Sequence, residues 1–293
     1  MLDVRKLRLL RELAHRGTIA AVAEALSYTP SAVSQQLSAL EREAGTALLE
    51  RTGRRVGLTA AGRALAARTE TVLAALAEAE AELAAARTGL TGTLRIGAFP
   101  TAVRTVLSPA LVALSSAHPG LELRVSELDP AVVPDALRAD AIDVALVQEY
   151  DFTASPDDPA LETEPLLEET IHLAALSAGP PRAHRDAPWI AATPGTLCHT
   201  MTVRACEAEG FTPRVRHHAD DFGAVLALVA AGQGVALVPD LGLLDPPAGI
   251  VLTPLAARRR TRIAYRRGTA AHPLVAAARS ALHSADGPGA FTL

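Results

Sequence analysis

The sequence predicts an α/β protein with an all-helical head at its N-terminus, a long connecting helix and a body of two α/β lobes. Three observations predict this class. Apolar residues recur at helical spacing in the first 45 residues, a heptad pattern follows the head, and from Thr93 onward short β-type runs alternate with helical segments. With 49% hydrophobic and 20% charged residues, the chain can bury sizeable cores, and its 293 residues predict two or three domains.

Three helices are predicted in the head from their capping residues. Asp3 can cap a helix over 3–14, and Thr18 can cap a second helix. Thr29 lies at an N-cap position with Pro30 at the first helical position, where a missing N–H has no cost. The head is therefore predicted as helix, helix, turn, helix.

A basic hairpin is predicted after the third helix, because residues 48–58 contain two short extended pieces around Gly53. A helix enters the DNA major groove with its N-terminal residues toward the base edges, and arginines suit phosphates or a narrow minor groove. A three-helix packing domain with a polar face is the alternative. The residues predicted to contact bases are Thr29, Pro30, Ser31, Ser34 and Gln35, and those predicted to contact the backbone or minor groove are Arg51, Arg54 and Arg55.

Thr59 can cap a long helix that reaches about Arg87. Two interleaved sets of residues in it recur every seven positions, which favours pairing with a second copy of the helix. Packing of an amphipathic helix on its own domain is the alternative. The two sets are Leu58, Leu65, Val72 and Ala79, and Thr69, Leu76 and Leu83.

The body is predicted as two lobes, because a Pro- and Asp-rich stretch at 153–165 separates two sets of strands. Repeated βα units predict parallel sheets covered by helices. Two of the predicted strands are Glu169–Leu176 and Ile263–Arg266. The arginines at 258–260, 262, 266 and 267 are interpreted as a solvated strand edge or an oligomer surface, with a nucleic-acid patch as the alternative.

Charge is distributed unevenly along the chain. Residues 1–68 contain 11 Lys and Arg against 6 Asp and Glu, a charge of +5, whereas the remainder carries −9. This asymmetry suggests a polyanionic partner for the head.

Residues 4–63 resemble the DNA-binding domain of LysR-type transcriptional regulators. The resemblance is carried by Ala20-Ala21-Val22-Ala23-Glu24-Ala25-Leu26, by Thr29-Pro30-Ser31-Ala32-Val33-Ser34-Gln35-Gln36-Leu37, and by Leu58-Thr59-Ala60-Ala61-Gly62. The rest resembles the family's effector-binding portion, which begins at Gly92-Thr93-Leu94-Arg95-Ile96-Gly97, so the resemblance covers essentially the whole chain. Thr18 stands where Ser is usual, and Leu48 and Leu49 stand where Phe is usual.

The resemblance implies a winged helix-turn-helix domain at 1–62, a linker and dimerisation helix at 59–88, and a periplasmic-binding-protein-like effector domain at 92–293. Lobe I would be 92–162 with 267–293, and lobe II would be 163–266. It implies a homodimer or homotetramer that binds an imperfect dyad in double-stranded promoter DNA under the control of a small molecule. RNA polymerase is a further candidate partner.

Effector contacts are expected where strands end and helices begin. The resemblance places them at Pro100, Thr101 and Ala102 in lobe I and at Thr196 and Leu197 in lobe II, whereas Gln148 and Phe222 follow from their places at strand ends. Free N–H groups at helix N-termini favour a carboxylate, so we expect a small organic anion. The alternative is that Thr101 and Thr196 are plain N-caps.

Cys198 and Cys206 suggest a second interpretation, a thiol-based redox sensor, because the peroxide-sensing branch of the family uses two cysteines in this region. Cys206 matches that pattern, Cys198 is displaced by one residue, and an ordinary buried cysteine is the alternative.

No nucleophile-elbow context, cofactor motif or metal-ligand spacing is evident, so we expect no enzyme, no cofactor and no metal site. We find no signal peptide or membrane span and expect a cytoplasmic protein.

Overall fold

A computed structural model of the chain describes residues 1–52, 55–86, 89–153 and 158–285, with only the backbone described at 51, 52 and 55. These residues form two compact units, one of 1–86 with 266–273 and the other of 89–265 with 274–285. No helix among them is long and apolar enough to cross a membrane.

The first unit begins with helices α1 (Val4–Arg16), α2 (Ile19–Ala25) and α3 (Pro30–Ala44). The predicted N-caps at Asp3, Thr18 and Thr29 are confirmed, since each side chain accepts a backbone N–H of the first helical turn. Apolar side chains at helical spacing on the three helices pack into one core, which includes Leu10, Val22, Val33, Leu37 and Leu40.

The predicted hairpin is present as antiparallel strands β1 (Leu49–Thr52) and β2 (Arg55–Leu58). Glu41 of α3 joins it to the helix, because one carboxylate oxygen accepts the backbone N–H groups of Leu48 and Leu49 at 2.9 Å each. The hairpin is therefore held in a fixed position relative to α3.

Helix α4 (Ala60–Ala85) follows, and Thr59 caps it as predicted. Leu58 and Leu65 pack against the core of the helical head and Thr69 is buried. Farther along the helix, the side chains of Val72, Leu76 and Leu83 are 41%, 42% and 72% exposed. Packing of α4 on its own unit therefore leaves these three side chains uncovered.

Buried charged side chains connect α1 to α4. Glu12 accepts hydrogen bonds from Arg11 at 2.6 Å and Arg16 at 2.7 Å, while Glu70 of α4 lies 3.6 Å from Arg11 and 3.1 Å from His15. Burial alone would raise the pKa of Glu12, but the two arginines outweigh it and lower that pKa. The charged network fixes one helix against the other.

The second unit contains a six-stranded mixed sheet in the order β4-β3-β5-β10-β6-β9. Its strands are β3 (Gly92–Ala98), β4 (Leu121–Glu127), β5 (Val144–Tyr150), β6 (Leu161–Ala175), β9 (Ala236–Pro239) and β10 (Val251–Arg266). Strands β7 (Pro188–Ala191) and β8 (Arg214–His218) form a separate parallel pair.

The prediction of parallel sheets is wrong for two pairings. Strand β3 runs parallel to β4 and β5, but β10 is antiparallel to β5 and β6 is antiparallel to β9. Both β6 and β10 are much longer than predicted and lie side by side at the centre of the sheet order, where they join the two sets of strands.

Helices flank these strands. Helix α5 (Pro100–Ala102) continues through a π-helical turn (Val103–Leu107) into α6 (Ser108–Ala117). The others are α7 (Val133–Arg138), α8 (Leu197–Ala208), α9 (Phe222–Ala230) and α10 (Pro273–Ala285).

Gly62 lies where α4 begins beside the hairpin, and a Cβ there would lie 2.1 Å from the carbonyl oxygen of Leu48. We expect Gly62→Ala to destabilise the head by about 1–3 kcal/mol, because backbone must shift. The matched control is Gly57→Ala, where a Cβ would meet only the Glu50 side chain at 3.8 Å. Urea unfolding followed by helical circular dichroism measures both, and equal stabilities would contradict the geometry.

Candidate functional site

The N-terminus of α3 presents the predicted base-contacting residues on an open face. Thr29, Pro30, Ser31 and Gln35 are exposed and Ser34 is half-buried, whereas Val33 and Leu37 of the same helix are buried in the core. The Thr29 hydroxyl also accepts the N–H of Ala32 at 3.2 Å, so it caps the helix. Arg51 and Arg55 lie on the two hairpin strands, and Arg54 lies outside the described residues.

The second unit contains a cavity of about 390 Å³ beside the end of β5 and the start of α8. Three of the predicted effector residues, Gln148, Thr196 and Leu197, line it. The other four do not: Pro100 is exposed, Thr101 and Ala102 are buried in α5, and Phe222 lines a much smaller cavity of about 20 Å³.

The two predicted effector threonines have different roles. Thr196 is the N-cap of α8: its hydroxyl accepts the N–H of His199 at 3.2 Å and donates to the carbonyl of Thr193 at 2.8 Å. Thr101 is not a cap, because Phe99 occupies the N-cap position of α5. Its hydroxyl instead accepts from both terminal nitrogens of Arg259, at 3.4 Å each.

Arg259 is the functional candidate that sequence reasoning missed. The interpretation of 258–262 as a solvated edge is wrong for this residue, which has 0% exposure on a central strand. Its guanidinium donates to Glu169 at 2.9 Å and to Gln148 at 3.2 Å, and lies 5.1 Å from the centre of the Phe99 ring. Burial alone would lower the pKa of Arg259, but the charge of Glu169 outweighs burial and raises it.

The neighbouring arginines point the other way. Arg258 and Arg260 flank Arg259 on the opposite face of β10 and form ion pairs with Glu168, and Arg260 also pairs with Asp151 at 2.6 Å. A strand alternates its side chains between two faces, so a longer predicted β10 would have separated Arg259 from its neighbours.

Cys198 and Cys206 are free thiols in α8. The sulfur of Cys198 lies 3.2 Å from the Tyr150 hydroxyl and 3.5 Å from the Gln148 amide nitrogen. Burial raises the pKa of Cys198 and raises that of Cys206 to about 12. Eight residues of helix separate their Cα atoms by roughly 12 Å. A disulfide needs less than about 7 Å, so these two would have to leave the helix to form one.

A helical head with a hairpin, followed by a two-lobed body with a ligand-sized cavity, defines a DNA-binding regulator with a separate sensor domain. Comparison with protein families agrees. Residues 4–63 match the bacterial regulatory helix-turn-helix protein, lysR family, and residues 87–286 match the LysR substrate binding domain. The chain therefore belongs to the LysR family of transcriptional regulators, which bind DNA and carry an effector-binding domain.

Two sequences and one solved structure that are similar to this chain carry different names. The transcriptional dual regulator GltC of Bacillus subtilis is 28% identical over 252 residues, with 82% of this chain and 81% of GltC covered. A probable hydrogen peroxide-inducible genes activator of Streptomyces viridosporus is 32% identical over 255 residues, with 80% of each covered. A cysteine-to-serine mutant of Corynebacterium glutamicum OxyR with H2O2 bound has a TM-score of 0.56 and 25% identity, with 100% of this chain and 97% of that chain covered.

Arg259→Met should destabilise the second unit by about 3–5 kcal/mol, because it leaves the Glu169 carboxyl buried without its cation, where burial already raises its pKa. The double variant Arg259→Met/Glu169→Leu should recover part of that loss, since an apolar pair needs no partner. Trp189, the only tryptophan of the chain, is fully buried in β7 and reports unfolding of this unit by fluorescence in urea.

Arg260→Met is the control, because Arg260 is 40% exposed on the opposite face of the same strand. Equal losses for Arg259→Met and Arg260→Met would show that the buried pair has no special role.

Proposed function

We propose that the chain reads DNA through the N-terminus of α3, with Gln35 and Ser34 toward base edges and Thr29, Pro30 and Ser31 beside them. The observation that carries this proposal is the exposed polar start of α3 next to a hairpin that Glu41 joins to it. Arg51 and Arg55, on the hairpin strands, and Arg54 are proposed to supply phosphate or minor-groove contacts.

We propose that a dimer forms through the exposed apolar residues of α4, namely Val72, Leu76 and Leu83. In a monomer these side chains would stay exposed to water. We also propose that two dimers form a tetramer through their effector domains, that the protein contacts RNA polymerase, and that it is cytoplasmic. The domain limits proposed are 1–62, 59–88 and 92–293, with lobe I at 92–162 and 267–293 and lobe II at 163–266.

We propose that the effector binds in the 390 Å³ cavity, which lies beside the end of β5, the start of β6 and the start of α8. Gln148 of the proposed lobe I and Thr196 and Leu197 of the proposed lobe II all line it, so a ligand there contacts residues of both lobes. A ligand acts only through different affinities for two lobe geometries, and the dimer transmits that difference to DNA. The sequence predicts a small organic anion as the effector, but the two carboxylates among the described wall residues disfavour an anion in this cavity. The contacts of Pro100, Thr101, Ala102 and Phe222 stay predictions.

Gln35→Ala should relax sequence preference by about 1–3 kcal/mol at one position of the site, because glutamine makes bidentate bonds with a base. Arg54→Ala or Arg55→Ala should instead weaken binding to every sequence and reduce the salt slope by about one. Binding to DNA upstream of the coding region and to scrambled DNA across salt measures both, with Glu80→Gln on α4 as the control. If the Gln35 and arginine variants behave alike on both DNAs, the recognition helix is misassigned.

A thiol-based sensor is the second candidate, favoured by the peroxide-related names of similar proteins and by the small cavity of about 20 Å³ beside Cys198. The raised pKa of both thiols opposes it, because the thiolate is the reactive form and its share at neutral pH is reduced.

We therefore expect mild peroxide to leave DNA binding unchanged and to form no Cys198–Cys206 disulfide. Non-reducing mass spectrometry checks the disulfide, with Cys198→Ser and Cys206→Ser as controls. A disulfide that appears together with altered DNA binding, and that both variants abolish, would establish the sensor.

A further inference from the structure

The wall of the 390 Å³ cavity is largely apolar. Residues from α7, β5, β6, β10 and the start of α8 form its apolar surface, which includes Val133, Pro134, Val147, Leu161, Leu197 and Ala264. Its volume lies within the range of small-molecule sites. The few polar groups in the wall therefore decide which ligand it accepts.

Both charged side chains of the described wall are carboxylates, Glu149 and Asp158. Asp158 already has a close cation, since one oxygen pairs with Arg138 while the other accepts the N–H of Ala160 at 2.9 Å. Glu149 has one ion-pair partner in the described part of the chain, Arg262, at a loose 3.7 Å. A carboxylate accepts about four hydrogen bonds, so Glu149 retains capacity toward the cavity.

The threonine hydroxyls in the wall offer acceptors more than donors. Thr153 donates its proton to the carbonyl of Tyr150, Thr196 to that of Thr193, and Thr200 to that of Thr196. A hydroxyl carries one proton, so these three present lone pairs to a ligand. Donors come from Thr163, whose hydroxyl accepts from Arg262 at 3.0 Å and keeps its own proton, and from the first backbone N–H groups of α8.

From this acceptor-rich wall we infer that the cavity binds a small molecule with an apolar body and a protonated amine, with the ammonium group against the Glu149 carboxylate. The inference rests on the proposed function in taking this cavity as the effector site. An ammonium group brings three donors to a carboxylate that has capacity for them. An anion would lose its hydration beside two carboxylates, and the described wall residues offer it the N–H groups at the start of α8 but no Lys, Arg or His.

Three probes of one shape separate the ligand classes: benzylamine, benzyl alcohol and benzoate. Each has a six-membered aromatic ring, and they differ in the charge of the attached group. Titration calorimetry on the full chain at pH 7 should give benzylamine a Kd roughly tenfold below that of benzoate, with benzyl alcohol between them. A lower Kd for benzoate than for benzylamine, or no binding by any probe, would overturn the inference.

Glu149→Gln keeps the shape of the side chain and removes its charge. It should raise the Kd of benzylamine roughly tenfold and leave that of benzyl alcohol nearly unchanged. The matched control is Glu168→Gln, an exposed carboxylate that pairs with Arg258 and Arg260 and does not line the cavity. Equal effects of the two substitutions on benzylamine would overturn the assignment to Glu149.

Binding to upstream DNA in the same preparations separates this inference from the proposed function. Selective DNA binding with no preference for the amine overturns the inference alone. A preference for the amine that Glu149→Gln removes supports the inference even where DNA binding does not respond, and that outcome would count against the cavity as the effector site.

Discussion

The architecture of the second unit depends on keeping one buried guanidinium satisfied. Arg259 takes its acceptors from three elements, Glu169 on β6, Gln148 on β5 and Thr101 on α5, and the Phe99 ring covers it. Removing a cation from water costs several kcal/mol unless charge and hydrogen bonds replace the water. A shift of β10 by one residue would turn Arg259 to the other face and leave Glu169 unpaired, so the pair helps to set the register of the central strands.

The same network connects the cavity to the rest of the body. Gln148 accepts a hydrogen bond from Arg259, donates one to Cys198 on α8 and lines the cavity. A ligand that moves this amide therefore acts on β10 and α8 together. Coupling of this kind needs no long chain of residues, because one side chain already joins the cavity wall, β10 and α8.

Buried charge serves a comparable purpose in the head. Glu12 and Glu70 hold Arg11, Arg16 and His15 between α1 and α4, so the start of the long helix has a fixed direction relative to the DNA-binding helices. The hairpin is fixed in turn by the Glu41 carboxylate. In both units, hydrogen bonds and ion pairs between buried or half-buried polar groups fix the geometry that apolar packing alone would leave less specific.

The sequence by itself determined whatever depends on near neighbours: the caps at Asp3, Thr18, Thr29 and Thr59, the helices they begin, the hairpin and the family resemblance. Of the proposed effector residues, those at the start of α8 and the end of β5 line the cavity. They could be predicted because helix starts and strand ends are local signals in a sequence. Only the tertiary structure decided that β6 and β10 lie side by side and join the two sets of strands, that Arg259 is buried, and that Glu149 lines a cavity. These features depend on strand register and on partners from about 90 to 160 residues away for Arg259, and no local pattern carries that information.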